Sequence, residues 1–540
     1  MSYYLKSFLL ALLSSILLWI AWPPHHFGWV SFMAFVPLFF VHDFHKKGFI
    51  KSSAFRWLIY FSLLMWNIFT TWWVWLASPG GGVAAIVLNT LLMSIIWWVF
   101  DLVSRRTTIF WGYTFLISFW ISYEFLHLNW DITWPWLVLG NVFANNTGLI
   151  QWYEFTGHLG GSLWVLLVNI FLFLSLKNYP NKTVFKKHIL ASFLLIIAPI
   201  IGSLGLTFLN LSKPADKAVT HHALIIQPNL DPYSEKFNSE GTALTSKQQL
   251  ERMLQMAEEN MKETTEFVVL PETAIQGGIH EPEINNESLI NLLQGFVRRH
   301  PQSCILTGAN SYILYPSKQT ESARAYGEKG KYLDYFNSAF KIDTSSQIEI
   351  YHKSRLVPGV EKLPYPKIFG GLIHLLKLDA EAGGLGTQPE ASVFSHHGIK
   401  VAPLICYESI FGGYVQQFVK KDANVLFVLT NDGWWGNTDG YKQHLDYGKL
   451  RCIEFRKELL QCANTGLSAQ IDKNGVILQQ TQWWKQEVLE AHFTPNNTKT
   501  FYAIYGDYLG WIGTVMGALV FLWLLIRSLL FKNNATFYVS

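Results

Sequence analysis

Long apolar runs that are nearly free of charged residues constrain the fold of this chain more than any other feature. Only 15% of its 540 residues are charged, whereas an average soluble domain carries about 25%. A run of about 20 apolar residues is long enough to cross a bilayer as a helix. Eight candidate spans lie at about 6–22, 27–42, 56–77, 83–103, 108–127, 162–177, 188–212 and 508–531. The sequence therefore predicts an α-helical membrane bundle of about eight transmembrane helices.

The loops between these spans predict the topology, because an excess of Lys and Arg stays on the cytoplasmic side. Neither Lys nor Arg occurs in three of the loops, which are 23–26, 78–82 and 128–161. The three loops that alternate with them carry Lys46, Lys47, Lys51 and Arg56, then Arg105 and Arg106, then Lys177, Lys182, Lys186 and Lys187. We therefore expect both termini inside, with Arg527 and Lys532 in a cytoplasmic tail, and the segment between the last two spans outside.

That segment changes character, since charged residues become frequent and strand-like runs alternate with helix-like ones. The pattern predicts three domains: transmembrane residues 1–218, an α/β domain at 219–500, and a final transmembrane helix with its tail at 501–540. Predicted strands are 223–227, 266–270, 304–308, 337–343, 401–405 and 424–430, with a hairpin at 465–480 and helices at 246–262, 287–299 and 440–459.

Three strand-like runs lead into a reactive residue. Glu272 follows Val268-Val269-Leu270-Pro271, where burial raises a carboxyl pKa and suits a general base. Lys353 is a candidate donor to an oxyanion. Cys406 follows Val401–Ile405, at a turn where backbone N–H groups are expected to lower a thiol pKa. Taken singly, a capping glutamate, a solvated basic loop and a buried structural cysteine explain these residues as well.

The remaining cysteines, Cys304, Cys452 and Cys462, have no such companions and are interpreted as structural. The aromatic loop at 128–161 is interpreted first as an interfacial anchor and second as a wall of a lipid site. Glu124, at the outer end of a span, is expected to have a partner, for which His127 is a candidate.

Glu272, Lys353 and Cys406 occur in the order that resembles the carbon–nitrogen hydrolase (nitrilase) superfamily. That resemblance implies an αββα sandwich in which Glu272 is the general base, Lys353 stabilises the tetrahedral oxyanion and Cys406 is the nucleophile. Glu361, eight residues after the lysine, matches a further acidic position that orients the site.

A multi-span bundle, an outward nitrilase-like domain and one final span together resemble the apolipoprotein N-acyltransferase family. Thr133-Trp134-Pro135-Trp136, Gln227-Pro228-Asn229, Ile405-Cys406-Tyr407-Glu408, Asn431-Asp432-Gly433-Trp434-Trp435-Gly436 and Gln443-His444 carry the resemblance. It implies that Tyr407 and Glu408 shape the site. Candidates for contact with lipid are Trp134, Trp136, Phe237, Trp434, Trp435 and His444.

The resemblance implies a bacterial inner-membrane enzyme without metal or cofactor. It would transfer an acyl chain from a phospholipid, through a thioester on cysteine, to the α-amine of the N-terminal diacylglyceryl-cysteine of an apolipoprotein. The expected state is a monomer, and a net charge of +4 is too small to indicate nucleic acid. Two alternatives stay open: a membrane-anchored amidase or nitrilase for a small amide, and a catalytically inert lipid-binding protein.

Overall fold

The computed structural model describes residues 2–212, 219–236, 244–327, 330–365 and 384–530. Phe237 and Lys532 lie outside the described residues. In chain order, the helices are α1 (Tyr3–Ala21), α2 (Ser31–Ala34), α3 (Val36–Lys46), α4 (Ser52–Thr71), α5 (Val74–Ala77), α6 (Pro79–Ser104), α7 (Ile109–His127), α8 (Tyr153–Thr156), α9 (His158–Lys177), α10 (Lys182–Ser212), α11 (Ser246–Asn260), α12 (Ser288–Arg299), α13 (Gly412–Lys420), α14 (Asp439–Phe455), α15 (Phe501–Tyr505) and α16 (Tyr508–Leu530).

The predicted helical bundle is confirmed, although fewer than eight candidate spans are found among the described residues. Within the described part of the chain, six helices are long and apolar enough to cross a membrane: α1, α6, α7, α9, α10 and α16. Their outer faces expose large apolar side chains, such as Phe208 on α10 and Trp511 on α16. Such a continuous apolar surface suggests a membrane protein.

The predicted span 27–42 is broken at Phe35 into α2 and α3. Asn169 of α9 holds the break open, since its Oδ1 accepts the Phe35 N–H at 2.8 Å and its Nδ2 donates to the Ser31 carbonyl at 2.7 Å. Pro37 then lies in the first turn of α3, where its missing N–H costs nothing because the first N–H groups of a helix have no intrahelical partner. The span predicted at 56–77 divides similarly, into α4 and the single turn α5.

The insert contains fourteen described strands in two sheets. They are β1 (His221–Gln227), β2 (Thr265–Val269), β3 (Ile275–His280), β4 (Cys304–Tyr315), β5 (Arg324–Tyr326), β6 (Lys331–Ile342), β7 (Glu349–His352), β8 (Phe394–His396), β9 (Ile399–Ile405), β10 (Val425–Thr430), β11 (Leu459–Ala463), β12 (Ala469–Ile471), β13 (Ile477–Gln480) and β14 (Glu487–Phe493). One sheet has the order β14-β1-β2-β4-β6-β5, with β3 beside β4 and β7 beside β6. The other has the order β13-β12-β11-β10-β9-β8.

The two sheets pack face to face, as alternation along the strands dictates. Phe267 of β2 meets Phe427 of β10 edge-on, with ring centroids 5.4 Å apart. On the opposite face of the first sheet, Leu224 and Ile226 pack with residues of α11 and α12. Helices α13 and α14 contact the second sheet. The predicted αββα sandwich is therefore confirmed.

Helix α14 joins the sandwich to the helical bundle. Tyr447 accepts a hydrogen bond from the Trp22 indole at 3.0 Å and donates to the Trp136 carbonyl at 2.7 Å. Gln443 donates to the Pro23 carbonyl at 2.9 Å. Nearer its carboxyl end, Glu454 accepts the backbone N–H of His158, the first residue of α9, at 2.9 Å. The two parts of the chain therefore share one buried polar interface.

The outer loop is packed tightly against the start of α9, and this gives a test of the fold. A Cβ added to Gly140 would lie 1.7 Å from the His158 carbonyl oxygen, so Gly140→Ala must displace backbone. We expect a loss of about 2 kcal/mol of stability, typical of overpacking, measured as a lower thermal midpoint in detergent. Gly148→Ala is the matched control, because nothing lies within 4 Å of its added Cβ; equal midpoints for the two variants would contradict the packing.

Candidate active site

Three chain segments that follow strands bring Glu272, Lys353 and Cys406 together. Glu272 lies three residues after β2, Lys353 directly after β7 and Cys406 directly after β9. The first two strands belong to one sheet and β9 to the other. Lys353 contacts Glu272 directly, and both charges act on the Cys406 thiol, so the cluster joins the two sheets.

Lys353 is buried between two carboxylates. Its Nζ lies 3.2 Å from Oε1 of Glu272 and 2.7 Å from Oε1 of Glu361. Burial alone would lower the pKa of Lys353, but Glu272 and then Glu361 outweigh it and hold this pKa well above its usual value. The lysine is therefore held as a cation, and a fixed cation is able to stabilise negative charge that develops nearby.

Glu272 is held by neighbours on both sides. Asn337 of β6 donates its Nδ2 hydrogen to the same Glu272 oxygen at 2.8 Å. A Cβ at Gly308 would lie 2.6 Å from the Glu272 Cα, so only glycine lets β4 approach this turn so closely. The sequence pattern carries no signal for Asn337, since its contact joins positions 65 residues apart.

Cys406 adopts a left-handed backbone conformation with φ of 49°. For a residue with a side chain this conformation is strained, and such strain clusters at functional sites. Burial, followed by the nearby Glu272 carboxylate, raises the pKa of the Cys406 thiol well above its usual value, against the opposing charge of Lys353. This direction is opposite to our expectation from backbone N–H groups. The resting thiol is therefore protonated and needs a base to become a nucleophile.

Glu408 ties the lysine segment to the cysteine strand. Its Oε1 accepts the Ser354 N–H at 2.7 Å and the Tyr351 hydroxyl at 2.6 Å, while its Oε2 accepts the Ile405 N–H at 2.9 Å. The carboxylate is fully buried, and burial raises the pKa of Glu408. Since Ser354 follows Lys353 and Ile405 precedes Cys406, Glu408 fixes one reactive segment relative to the other.

A cavity of about 330 Å³ connects Cys406 with the membrane helices. Its walls are mostly apolar, and they include Gly81, Ala84, Ala85 and Leu88 of α6. Of the candidates for lipid contact, the following line this cavity: Trp134, Trp136, Trp435 and His444. Trp434 instead packs on Tyr233, with ring centroids 5.2 Å apart. The outer loop therefore supplies part of the cavity wall.

Two further expectations concern that region. The Tyr407 hydroxyl donates to the Thr133 carbonyl at 3.1 Å, which links the residue after the cysteine to the outer loop.

The expected pairing of Glu124 with His127 is wrong. Glu124 accepts from the Trp120 indole at 2.9 Å, whereas His127 lies 3.0 Å from Oδ1 of Asn89. The Leu139 N–H of the outer loop donates to the same Glu124 oxygen at 2.8 Å, so this carboxylate has donors without His127.

The two facing sheets with a Glu–Lys–Cys cluster between them define a carbon–nitrogen hydrolase domain, and the carbon–nitrogen hydrolase family model matches residues 226–502. The model of the apolipoprotein N-acyltransferase N-terminal domain matches residues 14–171. The chain is 30% identical over 516 residues to the apolipoprotein N-acyltransferase of Chlorobaculum tepidum, and the match covers 93% of each protein. The chain belongs to the apolipoprotein N-acyltransferase family.

Two other relatives of the same name are matched over nearly their full lengths. Identity to the protein of Geobacter metallireducens is 25% over 548 residues, covering 98% of this chain and 96% of the relative. Identity to that of Haemophilus influenzae is 25% over 537 residues, covering 97% and 95%. The resemblance therefore extends through the bundle and the insert alike.

Lys236 is a neighbour of the cluster that the sequence analysis missed. Its Nζ donates to the backbone carbonyl of Glu272 at 2.8 Å, and its side chain is buried. Burial lowers the pKa of Lys236 to about 7, although the Glu272 carboxylate opposes this shift. The sequence offers no sign of this lysine, because it lies in a polar turn far along the chain from Glu272.

The lowered pKa of Lys236 predicts that the reactivity of the Cys406 thiol depends on pH. Below a pH of about 7 Lys236 is charged, and its attraction makes the Glu272 carboxylate less ready to accept the thiol proton; above it the attraction is lost. The rate of Cys406 alkylation by iodoacetamide should therefore rise through about pH 7, and Lys236→Met should remove that inflection. Lys442→Met, a change on the surface of α14, is the control. An unchanged inflection in Lys236→Met would assign the titration to another group.

Proposed function

We propose that this protein transfers an acyl chain from a membrane phospholipid to the α-amine of the N-terminal diacylglyceryl-cysteine of a lipoprotein. The observation that carries this proposal is the apolar cavity, since one wall is the Cys406 turn and another is membrane helix α6. The names of the full-length relatives support the same reaction. The proposal includes three finer points: the acceptor is an amine, the donor is a phospholipid, and the enzyme is a monomer.

In the first half-reaction, Glu272 takes the proton of the Cys406 thiol. The sulfur attacks the ester carbonyl carbon of the phospholipid, and Lys353 with the Tyr407 backbone N–H stabilises the oxyanion. When the tetrahedral intermediate collapses, the ester C–O bond breaks. Glu272 returns the proton to the departing oxygen, so a lysophospholipid leaves and a thioester remains on Cys406.

In the second half-reaction, the neutral α-amine of the lipoprotein attacks the thioester carbonyl. Glu272 takes a proton from the attacking nitrogen as the C–N bond forms. The C–S bond then breaks, and the proton passes to the sulfur, which restores the thiol. Lys353 remains charged throughout, because Glu272 and Glu361 both face it.

The apolar cavity explains why an amine, rather than water, takes the acyl group. Exclusion of water from a closed site protects a reactive intermediate from hydrolysis. The small side chains at Gly81, Ala84 and Ala85 leave room for an acyl chain along α6. An amidase for a small amide, or an inert lipid-binding protein, is not favoured, because neither needs an acyl-sized apolar wall beside a complete Glu–Lys–Cys cluster.

The same proposal orients the chain in the membrane. The basic loops support a cytoplasmic position for both termini, so residues 219–500 would form the catalytic domain on the periplasmic side of a bacterial inner membrane. The membrane domains would be residues 1–218 and 501–540. They would let lipid substrates reach Cys406 laterally, from within the bilayer.

The reaction is tested with a synthetic diacylglyceryl-cysteine peptide and phospholipid in detergent. Mass spectrometry should detect a peptide heavier by one acyl chain, and Cys406→Ala should lower the rate at least about 1,000-fold, as expected for loss of a nucleophile. Cys304→Ala is the matched control, since that thiol is fully buried in β4. Transfer by Cys406→Ala at the wild-type rate would overturn the proposal.

A further inference from the structure

A histidine and an aspartate outside the Glu–Lys–Cys cluster contact the backbone of the cysteine. His444 of α14 is almost fully buried, and its Nε2 lies 3.1 Å from the Cys406 carbonyl oxygen. Its Nδ1 lies 3.0 Å from Oδ1 of Asp432, which is also fully buried. His444 lines the cavity, but both of its ring nitrogens face protein acceptors.

These partners define the protonation state of His444. A carbonyl oxygen only accepts, and an ionised carboxylate only accepts, so each ring nitrogen must carry a hydrogen. Burial alone would lower the pKa of His444, but the Asp432 carboxylate outweighs it and raises this pKa above its usual value. The Thr430 hydroxyl donates to Asp432 at 2.7 Å, which satisfies the carboxylate further. His444 is therefore an imidazolium held against the Cys406 carbonyl.

A second donor reaches the same oxygen. The Ser409 hydroxyl donates to the Cys406 carbonyl at 2.8 Å, and its oxygen lies 3.0 Å from Nε2 of His444. One charged and one neutral donor therefore converge on a single backbone acceptor.

That carbonyl belongs to the same peptide unit as the Tyr407 N–H. Resonance couples the two ends of a peptide, and hydrogen bonds in a chain polarise and strengthen one another. Tyr407 lies in the first turn of the 3-10 helix Cys406–Ile410, where backbone N–H groups have no intrahelical partner. A cation on the Cys406 oxygen therefore makes the Tyr407 N–H a stronger donor.

We propose that the His444–Asp432 pair is a positioning device for acyl transfer: it polarises the peptide between Cys406 and Tyr407 and so strengthens the Tyr407 N–H as an oxyanion donor. The inference rests on the proposed function, because only a reaction with a tetrahedral intermediate uses that donor. His444 acts through the peptide, so it is a positioning residue and not a nucleophile or base.

Two reactions of the Cys406 thiol distinguish an effect of His444 on the oxyanion donor from a purely structural effect on the fold. Alkylation by iodoacetamide requires the thiol but develops no oxyanion, whereas thioester formation from phospholipid requires both. In His444→Gln, and separately in Asp432→Asn, the single-turnover rate of thioester formation should fall about 10- to 100-fold, somewhat less than on loss of a whole oxyanion donor. Alkylation should stay within about twofold of wild type, because the thiol and Glu272 are untouched.

Controls make each outcome decisive. Ser409→Ala removes the neutral donor and should lower thioester formation less than His444→Gln does. His492→Gln, the same change on the exposed edge strand β14, should leave both rates at wild-type values. Parallel loss of both rates in His444→Gln and Asp432→Asn would show a structural role only, and unchanged rates in both would show no role; either overturns the inference. Absence of the thioester in the wild type, with alkylation intact, would instead refute the proposed function.

Discussion

The buried ammonium of Lys353 is the charge around which the site is arranged. An isolated charge in a protein interior is very costly, and it persists only where opposite charges and hydrogen bonds surround it. Here Glu272 and Glu361 both contact the same Nζ. These contacts hold the turn after β2 against the loop after β7. Glu408 then fixes the Cys406 strand to that loop through four hydrogen bonds. The cluster is thus preorganised before any substrate arrives, which is how electrostatic stabilisation lowers a barrier.

The site is also inseparable from the helical bundle. Helix α14 places His444 beside Cys406, and it places Tyr447 and Gln443 beside the residues that directly follow α1. On the cavity side, Trp73 of the bundle, Trp136 of the outer loop and Trp435 of the insert meet edge to face. The sandwich therefore shares an apolar cavity wall with the helical bundle, and under the proposed function this wall is where lipid substrates approach Cys406.

Much of this architecture follows from local pattern in the sequence. Apolar runs, alternation and turn residues predicted the bundle, the strands that precede Glu272 and Cys406, and the hairpin near Asn474. What escaped prediction depends on contacts between distant residues. The break at Phe35 depends on Asn169, 134 residues away. Strand β14 pairs along β1 from the far end of the insert, and Lys236 reaches the Glu272 carbonyl across 36 residues. The sign of the Cys406 pKa shift was also missed, because burial and the Glu272 charge act only in the folded site.

Under the proposed function, Cys406 carries the acyl chain between donor and acceptor. The most direct measurement is mass spectrometry of the peptide containing Cys406, after the intact protein has been mixed with phospholipid of one acyl composition and no acceptor. We expect a mass increase of one acyl group on Cys406, which hydroxylamine removes and which is absent when Glu272 is replaced by Ala. An acyl group on another residue, or its persistence in Cys406→Ser as a hydroxylamine-sensitive label, would contradict the account.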